Sequence, residues 1–171
     1  SMSEDRCCSI DGQADARRVA RHLGIPFYTL NFSQIFKREI VDYFLSEYKV
    51  GKTPNPCVKC NKQIKFGLFM DKAKEIFNAD YVATGHYAQI VQGQGQANGG
   101  FELHKGADSA KDQSYFLYNL TQEKLSHILF PIGHLRKPDV RAIAEQHGLI
   151  VAGKAESQGL CFLKEGRHYG F

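Results

Sequence analysis

The 171-residue sequence predicts an α/β fold built on a mostly parallel sheet. Segments with apolar residues at helical spacing alternate with short continuous apolar runs, the pattern of helices feeding parallel strands. Gly and Pro punctuate the junctions between them. No internal repeat is visible. In such sheets the reacting groups sit in loops beyond the carboxyl ends of strands, here the loop Thr84 to Tyr87.

Ala16, Val19, Ala20 and Leu23 make one face of a helix over Asp11–Leu23, with Ser9 and Asp11 as candidate N-caps and Gly24 and Pro26 as its stop. Phe27 to Leu30 reads as a strand. A second helix is expected over Ser33–Tyr48, on Ile35, Phe36, Ile40, Phe44 and Leu45. The stretch Lys49 to Pro56 reads as a loop, followed by a helix over Ile64–Phe77 and a buried strand at Tyr81-Val82-Ala83. Strands at 87–91 and 101–105 flank a Gly/Gln/Asn-rich connection. Short helices are expected near Ser114–Leu120 and Gln122–Leu129, and a longer one over Pro138–His147, ended by Gly148. The tail from Ile150 reads as loop.

Composition places few limits on function. Hydrophobic residues make 43% and charged residues 23%, ordinary for a globular protein. There is no apolar run of about eighteen residues and no signal-peptide pattern, so the expected setting is cytoplasmic, away from membranes. The net charge of +4 permits a nucleic-acid partner and equally suits a solvated surface. Five cysteines, Cys7, Cys8, Cys57, Cys60 and Cys161, are an odd number, which argues against a secreted disulfide scaffold and for metal binding or catalysis.

Four constellations carry candidate chemistry. In Thr53-Pro54-Asn55-Pro56-Cys57-Val58-Lys59-Cys60-Asn61, Cys60 precedes a predicted helix whose dipole would favour a thiolate, and Lys59, Lys62 and Lys65 add positive charge. The same C-x-x-C is half of a structural zinc site, which needs two more ligands that the adjacent Cys7 and Cys8 supply poorly. In Lys154 to Phe162, Gly159 makes the loop around Cys161 bendable, although a cysteine between Leu160 and Phe162 is also a plain buried residue. Lys111-Asp112-Gln113-Ser114-Tyr115-Phe116 mixes cation, carboxylate and amide as phosphate and base-edge contacts require, or is a helix start capped by Asp112. In Ala83-Thr84-Gly85-His86-Tyr87, Gly85 lets a ligand approach the backbone, and His86 either binds or fills space.

Taken together, these segments resemble the MnmA family of tRNA 2-thiouridylases. The matching stretches are Cys7 to Ser9, Asp15 to Ala20, Gly24 to Pro26, Thr53 to Phe66, Ala79 to Tyr87, Lys111 to Tyr118, Leu129 to Pro131 and Ser157 to Phe162. The resemblance implies a truncated adenine nucleotide α-hydrolase (PP-loop ATP pyrophosphatase) fold, with residues 1–171 as a partial catalytic domain. It implies ATP with Mg as substrate, adenylation of the C2 oxygen of the wobble uridine, and sulfur delivered from a cysteine persulfide. By position Cys60 is similar to the nucleophile and Cys161 to the persulfide carrier. Gly85 aligns with an ATP contact, His86, Lys111, Asp112 and Gln113 with tRNA contacts, and Asn55, Pro56 and Cys57 with the loop that meets the target base. The implied partners are tRNA and a sulfur-donor protein, either a cysteine desulfurase or a sulfur carrier.

The sequence departs from the family pattern in three ways. The S-G-G-x-D-S phosphate loop and its strand are absent, and so are the middle domain and the C-terminal β-barrel. Loss of a central strand would expose apolar surface, so self-association is expected. Cys57 stands where many members carry Asp, which raises a [4Fe-4S] cluster held by Cys57, Cys60 and Cys161 as an alternative. The competing readings are a non-catalytic zinc- or iron–sulfur-binding module that docks RNA, and an ATP pyrophosphatase-type ligase.

Overall fold

The first and last long helices end in the same way. In the computed structural model, which describes residues 10–93, 99–155 and 159–162, α1 is Ile10–His22 and α7 is Lys137–Gln146. After α1 the Ile25 N–H donates to the Ala20 carbonyl at 3.0 Å and the Gly24 N–H to Arg21 at 3.2 Å. After α7 the Leu149 N–H donates to Ala144 and the Gly148 N–H to Glu145, both at 2.9 Å. Both are Schellman caps, which require a left-handed residue; Gly24 and Gly148 have φ of +67° and +64°. Asp11 falls inside the first turn of α1, where it suits the helix dipole, and is not an N-cap. Ser9 lies outside the described residues.

The described residues form two compact units. One combines the described parts of Ser1–Ile35 and Arg141–Phe171, and the other is Phe36–Val140. In the first unit, His22 Nε2 lies 2.8 Å from the His147 carbonyl oxygen, and Lys154 Nζ lies 2.6 Å from Asp15 Oδ2. The segment Phe27–Leu30, expected as a strand, has no ladder partner among the described residues and is irregular. Its β-prone residues have no neighbour with which to pair, and propensity alone does not make a strand.

The second unit contains most of the regular structure. The helical run 33–49, whose first three residues belong to the first unit, comprises α2 (Ser33–Phe36), π-type turns over Lys37–Asp42 and α3 (Tyr43–Lys49). A longer run, 56–77, comprises α4 (Pro56–Cys60), π-type turns over Asn61–Phe69 and α5 (Met70–Phe77). This run starts eight residues before the expected Ile64, because Asn55 caps it: its Oδ1 accepts the Val58 N–H at 3.1 Å, and Pro56 takes the first helical position, where a missing N–H costs nothing.

β1 (Val82–Ala83) pairs in parallel with β4 (Ile128–Leu129), and β2 (Ala88–Gln92) forms an antiparallel hairpin with β3 (Phe101–Lys105). The expected helix over Gln122–Leu129 is shorter. It stops as α6 (Gln122–Leu125), and Ile128 and Leu129 join the sheet instead. A core of Phe66, Ala88, Leu117, Ile128 and Phe130 ties the 56–77 helix to the hairpin, to β4 and to a 3₁₀ turn at Ser114–Leu117. On β1 and β4 one face is buried through Val82 and Ile128, while Ala83 and Leu129 are exposed on the other. No helix among the described residues is long and apolar enough to cross a membrane.

Candidate functional site

The cysteine pair sits on the opening turns of a capped helix. Cys57 is the second residue of α4 and Cys60 its last, and both are half-buried. The expectation that Cys60 lies just ahead of a helix start is therefore corrected. The first turn, where the dipole acts, holds Cys57, and Cys60 lies one turn further in. Asn55, expected to meet the target base, spends its side-chain oxygen on the cap. Pro56 is buried.

The charge around the pair is smaller than the lysine count implied. Lys59 Nζ stands 4.0 Å above the Tyr43 ring and 3.9 Å from Glu39 Oε2, so one of the three cations is already matched. Neither partner was legible in the sequence, because both come from the 33–49 helical run. Asn61, the residue after Cys60, is only 4% exposed; its Nδ2 donates to the Phe116 carbonyl at 3.1 Å. This bond holds the helix carrying the cysteines against the 114–117 turn. Asn61 Oδ1 is buried with no hydrogen-bond partner among the described residues.

The segment leading into that turn is an internally bonded loop. Asp112 Oδ1 accepts the N–H groups of Gly106 (2.9 Å) and Ser114 (3.2 Å), and its Oδ2 accepts the Ser114 hydroxyl at 2.9 Å. Desolvation pushes its carboxyl pKa up, but these hydrogen bonds and the nearby Lys105 charge outweigh it and hold the group below its ordinary value. Gln113 Oε1 accepts the Tyr87 N–H at 3.0 Å, and the Gln113 N–H donates to the Tyr87 carbonyl at 2.9 Å. Both side chains serve the loop itself; Asp112 is not the expected N-cap, since Gln113 precedes the 3₁₀ turn at Ser114–Leu117, but it ties Gly106 to Ser114. Lys111 is half-buried, and its N–H donates to the Asp108 carbonyl at 3.0 Å.

His86 lies in the core. It is 6% exposed, with its Nδ1 2.7 Å from Thr84 Oγ1 and its ring against Phe66 and Phe130 at centroid distances of 5.7 and 5.6 Å. Burial, with a smaller push from Lys65, lowers its pKa to about 4, so the ring is neutral near pH 7. A ring so enclosed offers no edge to a nucleotide in this structure, and space-filling is the role the packing supports. Gly85 is exposed beyond the end of β1. A Cβ there would meet only the Ile132 side chain, at 3.8 Å, so packing does not demand glycine at that position.

Cys161 belongs to the other unit, where it is half-buried two residues after Gly159, whose φ is +79°. Ser157 and Gln158 of its motif, and Cys7 and Cys8, lie outside the described residues. Among the described residues no three His, Cys, Asp or Glu side chains are grouped to hold a metal ion, so the cluster proposed for Cys57, Cys60 and Cys161 finds no support.

A family model described as tRNA methyl transferase HUP domain matches residues 1–165. The chain belongs to that family. As a HUP domain it has the α/β class expected from the sequence. A Geobacter metallireducens protein named tRNA-specific 2-thiouridylase MnmA is 51% identical to this HUP-domain chain over 167 residues, 98% of the chain and 44% of that protein. Proteins of the same name from Clostridioides difficile and Symbiobacterium thermophilum are each 52% identical, over 162 and 157 residues, and the chain covers 44% and 40% of them. The chain thus spans less than half the length of these relatives.

Proposed function

We propose that this chain is part of the catalytic, ATP pyrophosphatase-like domain of a tRNA 2-thiouridylase. The observation that carries the reading is Cys60, held on the opening turns of a capped helix, in a chain about half identical to proteins of that name. ATP, with Mg, is a substrate. The C2 oxygen of the target uridine attacks the α-phosphorus and diphosphate leaves. The terminal sulfur of a Cys161 persulfide then attacks C2, and AMP departs with the oxygen. Cys60, as thiolate, attacks the Cys161 sulfur, and the bond to the transferred sulfur breaks. The products are 2-thiouridine and a Cys60–Cys161 disulfide, which a dithiol reductant reopens before a cysteine desulfurase or sulfur carrier reloads Cys161. A reducing cytoplasm suits this cycle.

Gly85, at the end of β1, is assigned to ATP, and Lys111 with the Asn55–Cys57 turn to the tRNA side. Asp112, Gln113 and His86 support these groups through the bonds and packing described above. Replacing Cys60 by Ser in the full-length, iron-free protein is the test. It is expected to stop turnover with tRNA left joined to Cys161 through a disulfide that dithiothreitol cleaves. Cys161→Ser is expected to stop turnover with no adduct. Undiminished sulfur transfer by Cys60→Ser overturns the reading. Methyl transfer, the activity in the family description, gives this pair no role and forms no such adduct.

A further inference from the structure

Two tyrosines beside the cysteine helix take no part in the core or in the chemistry above. Tyr115 lies in the 114–117 turn and Tyr118 closes it, and they are 68% and 64% exposed. Their rings lie 6.3 Å apart, inclined at 51°, and the Phe116 ring meets Tyr115 edge-on at 5.6 Å. The backbone beneath them is anchored at several points. Leu117, between the two, is 1% exposed in the core, Phe116 accepts the Asn61 amide, and Asp112 ties Ser114 through both its N–H and its hydroxyl.

Tyrosines on an anchored turn offer flat apolar faces with a polar tip, and their two-torsion side chains lose little freedom on contact. The turn that bears them contacts α4, the helix of Cys57 and Cys60. The segment leading into the turn carries Lys105 and Lys111, which lie close enough to Asp112 and Asp108 to help hold those carboxyl groups below their ordinary value. Aromatic faces next to lysines are the composition with which proteins grip unpaired nucleotides, rings on the bases and cations on the phosphates. The contact with α4 sets the rings beside the cysteine that the reading above assigns to the target uridine, which favours the RNA over a protein partner.

We propose that Tyr115 and Tyr118 form a stacking platform for unpaired bases of the tRNA loop flanking the target uridine. The proposal rests on the thiolation reading and adds to it how the loop is held open beside the cysteines. Each base stacked on an aromatic ring contributes about a 5- to 150-fold gain in affinity.

The experiment measures binding of a tRNA transcript to the full-length protein by fluorescence anisotropy. Tyr115→Leu/Tyr118→Leu is expected to weaken binding by at least about fivefold, while the double Phe variant stays within about twofold, since it keeps both rings. Removing the bases on either side of the target uridine is expected to weaken the wild type and leave the Leu variant unchanged. Should the Leu replacements disturb folding, 5-iodouridine in the loop of the wild-type complex is expected to photocrosslink to Tyr115 or Tyr118. Wild-type protein that binds tRNA as tightly as the Leu variant, or additive losses from the Leu and abasic changes, overturns the platform alone. Crosslinks confined to other residues do the same. Failure of the wild type to bind tRNA overturns both the platform and the thiolation reading.

Discussion

Gln113 grips Tyr87 from both sides, its side-chain oxygen 3.0 Å from the Tyr87 N–H and its own N–H 2.9 Å from the Tyr87 carbonyl. The pair joins the 111–118 segment to the strand that leaves the β1 loop. Gln113→Ala keeps the backbone bond and strips the Tyr87 N–H of its acceptor. The expected loss is about 1–3 kcal/mol in chemical denaturation. If stability is unchanged and only tRNA affinity falls, the side chain serves the ligand and not the loop.

Asn55 is expected to behave as a helix cap. Asn55→Ala should cost about 0.5–2 kcal/mol of stability, while Asn55→Asp or Asn55→Ser should retain most of it, because each keeps an oxygen for the Val58 N–H. The same Ala variant should react faster at Cys57 with a bulky thiol reagent as the first turn frays. Equal stability of the Ala and Ser variants would rule out the cap.

His86 gives stability a defined pH dependence. Its folded pKa is lowered from 6.5 to about 4, so between those values the unfolded chain binds the extra proton. The contribution is fully present above about 6.5 and is lost as the pH falls towards 4, in all roughly 3 kcal/mol. Asp15, Asp108 and Asp112, whose carboxyl groups are held low, lose their contributions only below their ordinary value of 3.8. Urea denaturation at pH 7 and 4.5 should therefore show a drop in the wild type that is largely absent in His86→Gln. Equal drops in both proteins would place the titrating group elsewhere.

Lysines near the cysteines should not contribute equally to RNA binding. Each phosphate contact adds roughly 0.7 to 0.9 to the slope of log affinity against log salt. Lys62 is exposed, and Lys62→Ala should reduce the slope by about that amount. Lys59 is matched by Glu39 and Tyr43, so Lys59→Ala should reduce it less. A larger effect at Lys59 would mean that RNA displaces Glu39.

The sequence made the self-contained elements legible. Gly24 and Gly148 stop α1 and α7 because a left-handed cap needs only local chain, and the β2–β3 hairpin pairs neighbours in sequence. Legibility failed where long-range pairing decides. Phe27–Leu30 looks like a strand but finds no pairing strand among the described residues, whereas Ile128–Leu129 looks like the end of a helix until β1 pairs with it. The start of α4 is hidden for a different reason. Pro54 and Pro56 read as loop residues, although Asn followed by Pro is also a cap and a first helical position. In the site, Cys57, Cys60 and Lys111 stood out by residue type. The inward roles of Asp112, Gln113 and His86 depend on Gly106, Tyr87, Phe66 and Phe130, which no spacing rule brings together.

The hydrogen bond between His22 and the His147 carbonyl joins two helix ends that are 125 residues apart in sequence. Each end is closed by a glycine-dependent cap, and one imidazole bridges them. The two caps should therefore open as a single cooperative event, with the amides of Ile25 and Leu149 exchanging with solvent deuterium at matched rates. Removing the imidazole by His22→Ala should then speed exchange at both amides together, which two independent caps would not show.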